Sequence, residues 1–230
     1  MIVAGAAALA AAGALAHGAF HRNSPVFGVA LGRLPRSCGA DAVALTFDDG
    51  PNPQATPRIL DALGEAGVRA TFFLLGRHVD RWPALARRVH DAGHTLGNHG
   101  WHHRKLHLAS PGRARDDLLR GTRAIEDATG ATPALFRAPH GFRAPWVSAI
   151  AGSLGQRTVG WSLGVWDSDR PGVDAIVTRT LAGTRGRSIV LLHDGDGYDA
   201  AGDRLQTAAA VPIVVAGLRA RHFRLLTVPT

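Results

Sequence analysis

From residue 43 onward the chain alternates short apolar runs with glycine- or polar-rich turns and then stretches whose apolar residues recur every three or four positions. Each apolar run has strand length and each following stretch helix length. Residues 43–47 predict the first strand. In the next segment Thr56 is placed as an N-cap with Pro57 at the first helical position, Ile59, Leu60, Leu63 and Ala66 share one face, and Gly67 stops the helix. Strands are predicted at 70–75, 95–98, 135–137, 158–161, 188–192 and 223–227. Helices are predicted to begin at Trp82-Pro83 and Pro145, to cover 114–128, to begin at Asp174, and to cover 204–221. Seven strands alternating with helices imply parallel pairing through right-handed crossovers, hence an open doubly wound sheet or a closed barrel.

Before this regular part lies an uncharged Ala/Gly/Val/Leu run to Ala16, long enough for a signal-peptide core but short of the roughly 20 residues of a spanning helix. Basic residues follow it rather than precede it, the wrong side for exporting the domain. The expected division is an apolar leader over 1–20, serving as signal or membrane anchor, a Pro/Gly-containing linker over 21–41, and a catalytic domain over 42–230. A protein exported to, or anchored in, the cell envelope is expected.

Composition narrows the function. With 230 residues, 46% of them hydrophobic and 19% charged, the chain can bury a full core and is neither disordered nor coiled coil. The single cysteine, Cys38, excludes an intramolecular disulfide and a thiolate zinc cluster. The net charge of +8 would attract anionic partners. Yet no compact basic run and no basic-aromatic interleaving supports nucleic acid, which is not expected as a partner. No GxGxxG or P-loop follows the first strand, and no Gly-x-Ser-x-Gly elbow is present.

Ligands of parallel α/β proteins bind beyond the C-terminal ends of the strands, and that is where the reactive side chains fall. Asp48 and Asp49 follow the first strand in Thr-Phe-Asp-Asp-Gly-Pro, His99 the third, Arg137 ends the fourth, Asp167 lies past the fifth and His193 ends the sixth. Adjacent carboxylates repel when both are ionised, so a site holding both suits a cation or unequal proton affinities. The i, i+4 spacing of His99 and His103 puts them on one side of a helical turn. His102 would point away there, while His107 continues the series as a competitor. Two imidazoles and a carboxylate make an open site for a divalent transition metal, zinc first and Co2+ or Ni2+ as alternatives. Arg137 is suited to a bidentate hold on a carboxylate. His193 sits where a general acid belongs, with Asp167 to orient it. The sum is a metal-dependent hydrolase.

These motifs, in order over about 42–228, resemble the polysaccharide deacetylases of carbohydrate esterase family 4, the NodB-homology domain. The resemblance implies an α/β fold of the distorted (β/α)7 barrel type. It implies Asp48 as catalytic base, Asp49, His99 and His103 as metal ligands, and Arg137 as the partner of Asp48. It further implies an oxyanion contact from the amide at His140, Asp167 as the group orienting the acid, Leu191 in the acetyl pocket and His193 as the acid. Three positions depart from the family pattern: Gly100 replaces a hydroxyl residue, His140 an aromatic and Ser168 a tryptophan. The expected activity is removal of acetyl groups from N-acetylated sugars of a cell-envelope polysaccharide, peptidoglycan or chitin-like, by a monomer. The competing functions are a non-catalytic glycan-binding module and a metal-dependent deacylase of small amides.

Overall fold

The computed structural model describes residues 2–230. In chain order its elements are α1 (Ile2–Phe20), β1 (Ala42–Asp48), α2 (Ala55–Glu65), β2 (Thr71–Leu74), α3 (Gly76–Arg81), α4 (Pro83–Asp91), β3 (Thr95–Asn98) and α5 (Pro111–Thr129), then β4 (Leu135–Phe136), α6 (Val147–Ser153), β5 (Arg157–Thr158), β6 (Leu163–Gly164), α7 (Val173–Gly183), β7 (Ile189–His193), α8 (Leu205–Ala220) and β8 (Arg224–Leu225). All strand pairs are parallel, in the order β5-β4-β3-β2-β1-β7-β6, with β8 joining the start of β1. Curled and helix-covered, this sheet is the expected distorted (β/α)7 barrel. One strand, β6, lies between the predicted fifth and sixth; at two residues it is too short for a period-2 pattern to reveal it.

Strand β1 is buried on both faces, and its alternation divides the core. Val43, Leu45 and Phe47 join Phe72, Leu74, Val190 and Leu192 in the layer beneath the outer helices. Ala42 and Ala44 pack inside the barrel with Phe73, Leu135 and Ile189. Thr46 and Asp48 continue that inward face, so the barrel lining changes from apolar to reactive along one strand. The register Asp48↔His193 between β1 and β7 sets two reactive strand ends side by side.

Residues 21–41, expected as a linker, are built into the barrel. Phe27, Leu34 and Ser24 are buried. Leu31 bridges to Val159 beyond β5, and Arg33 to Ser188 before β7. This segment occupies the seam that β5 and β6 leave unpaired, satisfying backbone groups that an open edge would expose. The apolar residues of this segment, broken up by Pro and Gly, give no sign of such docking. Within α1, residues 9–17 are exposed, and contact with the body begins at His17, whose Nδ1 lies 2.8 Å from Ser24 Oγ. No helix among the described residues is long and apolar enough to cross a membrane.

The start of α2 also differs from expectation. Asn52, rather than Thr56, caps it, its Oδ1 accepting from the amides of Gln54 and Ala55. Thr56 lies inside the helix, where its hydroxyl accepts from the Asn52 amide and donates to Asp194 at 2.5 Å.

Candidate active site and metal centre

One cavity of about 480 Å³ opens at the C-terminal ends of the strands. That volume falls within the ~300–1,000 Å³ range of small-molecule sites. Asp48, Asp49, His99, His103, His140, Leu191 and His193 all line it. Arg137 and Asp167 stand behind the wall, both fully buried, each against one of the lining residues. The structure therefore brings together all nine residues singled out in the sequence.

Asp49, His99 and His103 offer ligand atoms that lie within 4.8 Å of one another, all three side chains buried. The Nε2 atoms of His99 and His103 face Asp49 Oδ1 at 3.3 and 3.2 Å. That oxygen is buried without a hydrogen-bond partner. An orphaned buried carboxylate oxygen is costly, and a cation at the point where these three groups converge would satisfy it. His99 donates from Nδ1 to the Arg137 carbonyl at 2.8 Å, which leaves Nε2 free to ligate. The donor set, one carboxylate and two imidazoles, suits zinc and its neighbours. Burial works against ionisation of Asp49, yet the His103 and His99 imidazoles hold its carboxyl well below the usual carboxylate range. Burial, with His99 and His140 nearby, brings His103 down to about 3 against the opposing pull of Asp49.

His99 and His103 do not share a helical turn. Residues 99–105 form an irregular loop in which Gly100 and His103 take left-handed backbone conformations, with φ of 80° and 58°. Asp117 of α5, buried, organises this loop: its carboxylate accepts from the Trp101 and His102 amides at 2.9 and 3.2 Å, from His102 Nδ1 at 2.8 Å and from Arg104 Nε at 3.2 Å. A side chain at position 100 would collide with Asp117, which accounts for glycine where the family has a hydroxyl residue. His102 is held by Asp117 and is not among the converging groups. His107 packs against Phe20 and Phe142 and is not among the converging ligands. Gly197, in the loop after β7, lies so close to the His103 ring that no Cβ fits there.

Arg137 reaches Asp48 through one nitrogen rather than two. Nη1 donates to Asp48 Oδ1 at 2.7 Å and to Thr46 Oγ1 at 2.8 Å, while Nη2 holds the Gly160 carbonyl at 2.9 Å. The bidentate geometry expected is given up because the guanidinium, stacked 4.1 Å over Phe73, spans from β1 to the loop after β5. Asp48 Oδ2 is left toward the cavity, 3.8 Å from His99 Nε2.

On the other flank Asp167 accepts from His193 twice, from the amide at 2.8 Å and from Nδ1 at 2.9 Å, and from Thr207 Oγ1 at 2.8 Å. Burial alone would lower the His193 imidazole, but Asp167, and beyond it Asp49 and Asp48, push it up to about 9. His193 thus carries a proton at neutral pH. His140 lies in a left-handed turn with its ring 4.5 Å from that of His103 and its Nε2 3.1 Å from the Tyr198 hydroxyl. Trp166, 68% exposed, and Ser168 line the cavity together, Trp166 standing two positions before the one where the family has tryptophan.

Two acidic residues escaped the sequence reading. Asp117 does have a signal: it falls on the buried stripe of α5 with Ala114, Leu118 and Gly121, where a carboxylate needs partners. Asp194 is the other. Burial, with Asp49 and Asp48 close by, pushes its carboxyl up to about 7. Standing next to a histidine in a glycine-rich loop, it carries no sign in sequence of being buried.

The polysaccharide deacetylase family model matches residues 36–159, more than half of the chain. The chitooligosaccharide deacetylase of Bradyrhizobium sp. (strain ANU 289) is 40% identical over 198 residues, covering 83% of this chain and 90% of the relative. Among solved structures, a peptidoglycan N-acetylglucosamine deacetylase bound to an N-oxidanyl-benzamide superposes with a TM-score of 0.80 at 29% identity, over 86% of this chain and 90% of that one. A pseudoenzyme of carbohydrate esterase family 4 from Bacillus anthracis superposes with a TM-score of 0.75 at 28% identity, over 83% of this chain and 64% of that one. Fold, strand-end motifs and relatives agree: the chain belongs to the polysaccharide deacetylase family, the NodB-homology group of carbohydrate esterase family 4.

Proposed function

We propose that this protein is a metal-dependent deacetylase that releases acetate from N-acetylated sugars of a cell-envelope glycan, peptidoglycan or chitin-like. The observation that carries the reading is the placement of two supported proton-transfer groups, Asp48 on Arg137 and His193 on Asp167, on a cavity that also holds the Asp49/His99/His103 donor set. A glycan-binding module has no need of a base and an acid so supported. The deacetylase names of the relatives point the same way.

In this reading Asp49, His99 and His103 hold one divalent ion, most readily Zn2+. The ion supplies Lewis-acid polarisation of the acetyl carbonyl and of water. Asp48, its Oδ1 fixed by Arg137, takes the proton of the attacking water at Oδ2. The amide at His140 donates to the oxygen on which negative charge develops. His193, protonated and held through Nδ1, gives its Nε2 proton to the departing amine nitrogen as the C–N bond breaks. Leu191 packs against the acetyl methyl. Products are acetate and a free amine.

The test is acetate release from acetylated glycans by the purified protein, before and after chelation and with Zn2+ restored. Activity should vanish with chelator and return with zinc. Asp48→Asn should lose at least ~10²-fold in kcat while retaining its metal. Full activity in that variant overturns the assignment of the base. Oligosaccharide binding by metal-loaded protein without acetate release from any acetylated glycan would instead favour the binding-module reading, and preference for short acetamides over glycan oligomers the small-amide reading.

The same reading places the protein at the cell envelope, exported or anchored through the N-terminal apolar segment. Its support is the uncharged run over 9–16 that lies exposed on α1, and peptidoglycan deacetylases among the relatives. The domain division that fits the packing joins the end of α1 from His17 and residues 21–41 to the catalytic unit, leaving the earlier part of α1 as the appended part.

A further inference from the structure

The cavity wall is not built by the barrel alone. Phe20, at the end of α1, and Arg22 line it beside the catalytic groups. Both belong to the segment that precedes the family-matched residues 36–159. Their position is fixed by a dense set of bonds. Arg143, buried, donates to the Ser24 and Gly28 carbonyls at 2.6 and 3.0 Å and from its amide to the Ala19 carbonyl at 3.1 Å. Arg22 Nε and Asn23 Nδ2 both donate to the Trp161 carbonyl at 2.9 Å, and Arg22 lies over the Trp161 ring. Trp161 follows Gly160, whose carbonyl Arg137 holds. The N-terminal strap is thus tied to the same loop as the arginine behind Asp48.

Phe20 is 56% exposed, although such bonding could have buried it. Its ring is the outer member of an aromatic file leading into the site: 5.4 Å to Phe142, 5.6 Å from Phe142 to His140, and 4.5 Å from His140 to His103. An exposed ring at the mouth of a cavity, edge-braced by two neighbours and followed by polar rims at Arg22 and His140, has the chemistry to bury the apolar C–H face of a pyranose while its hydroxyls meet the polar groups.

We infer that Phe20 and Arg22 form a sugar subsite contributed by the N-terminal strap, which holds the unit next to the one being deacetylated and selects glycan chains over single sugars. This inference rests on the deacetylase reading and adds a length preference to it. Phe20 contacts ground state and transition state alike, so its removal should raise KM and leave kcat unchanged.

The experiment compares wild type, Phe20→Ala and Phe20→Trp in the full chain, metal-loaded, across a chitooligosaccharide series from monosaccharide to hexamer. Phe20→Ala should raise KM about five- to tenfold for the longer oligomers and leave the monosaccharide unaffected, and Phe20→Trp should restore the wild-type value. Equal effects at every length, or none at any length, overturn the subsite while leaving the deacetylase reading intact. If wild type releases no acetate, that reading fails, and direct binding of the hexamer by calorimetry still decides the subsite: weaker binding by Phe20→Ala than by wild type supports it, equal binding overturns it. Unchanged thermal unfolding of Phe20→Ala, expected for an exposed ring, separates lost contact from lost fold.

Discussion

His193 is held in its charged form mainly by one carboxylate. Asp167 accepts from both its Nδ1 and its backbone amide, and it is the largest of the causes that raise the imidazole to about 9. Asp167→Asn removes that charge and permits the wrong tautomer. Acetate release should then fall by about 10²–10⁴-fold, and the alkaline limb of the kcat profile should move to lower pH, because the proton to be donated is lost sooner. A limb that stays where it was in wild type would show that another group sets it. The partners of these strand-end residues were legible in sequence because each motif pairs a reactive side chain with a fixed strand end. The single-nitrogen contact of Arg137 was not, since it depends on where Gly160 lies across the barrel.

At the scale of elements, the loop carrying the two candidate metal-binding histidines has no regular structure of its own and is shaped by α5. Asp117 satisfies two of its amides and the side chains of His102 and Arg104. Truncation to alanine leaves those donors unpartnered, at about 1–3 kcal/mol for each one that stays buried. Zinc affinity of Asp117→Ala, measured by titrating the metal-free protein, should fall by about 10–100-fold, and Asp117→Asn, which keeps acceptors, should lose less. Unchanged affinity in the alanine variant would remove Asp117 from the support of the site. The helical-turn expectation for 99–103 failed here because spacing fixes only which residues could share a face. The actual path of the loop is set by a left-handed Gly100 pressed against a helix that comes later in the chain.

Across the whole molecule, the strand ends concentrate carboxylates in a buried space, and Asp194 bears the consequence. Its carboxyl titrates at about 7 in the folded protein against an ordinary value of 3.8. Below pH ~4 both folded and unfolded chains hold that proton. Between there and 7 the unfolded chain releases it and the folded one keeps it, so stability falls as pH rises and levels off above 7. In metal-free protein Asp194→Asn should therefore gain stability over wild type progressively from pH 4 to 7, by a few kcal/mol on the order of the linkage. A difference in melting temperature that stays constant over that range would mean that Asp194 is ionised throughout. By itself the sequence determined the alternation of strands and helices, the strand ends that carry chemistry, and the candidate ligand and proton-transfer residues, because hydrophobic period and motif order are local properties of a chain. Only the tertiary structure decided that residues 21–41 close the barrel seam, that Phe20 reaches the catalytic cavity, and that Asp117 and Asp194 are buried. Each of these depends on contacts between distant segments, and a local pattern carries no information about what will be packed against it.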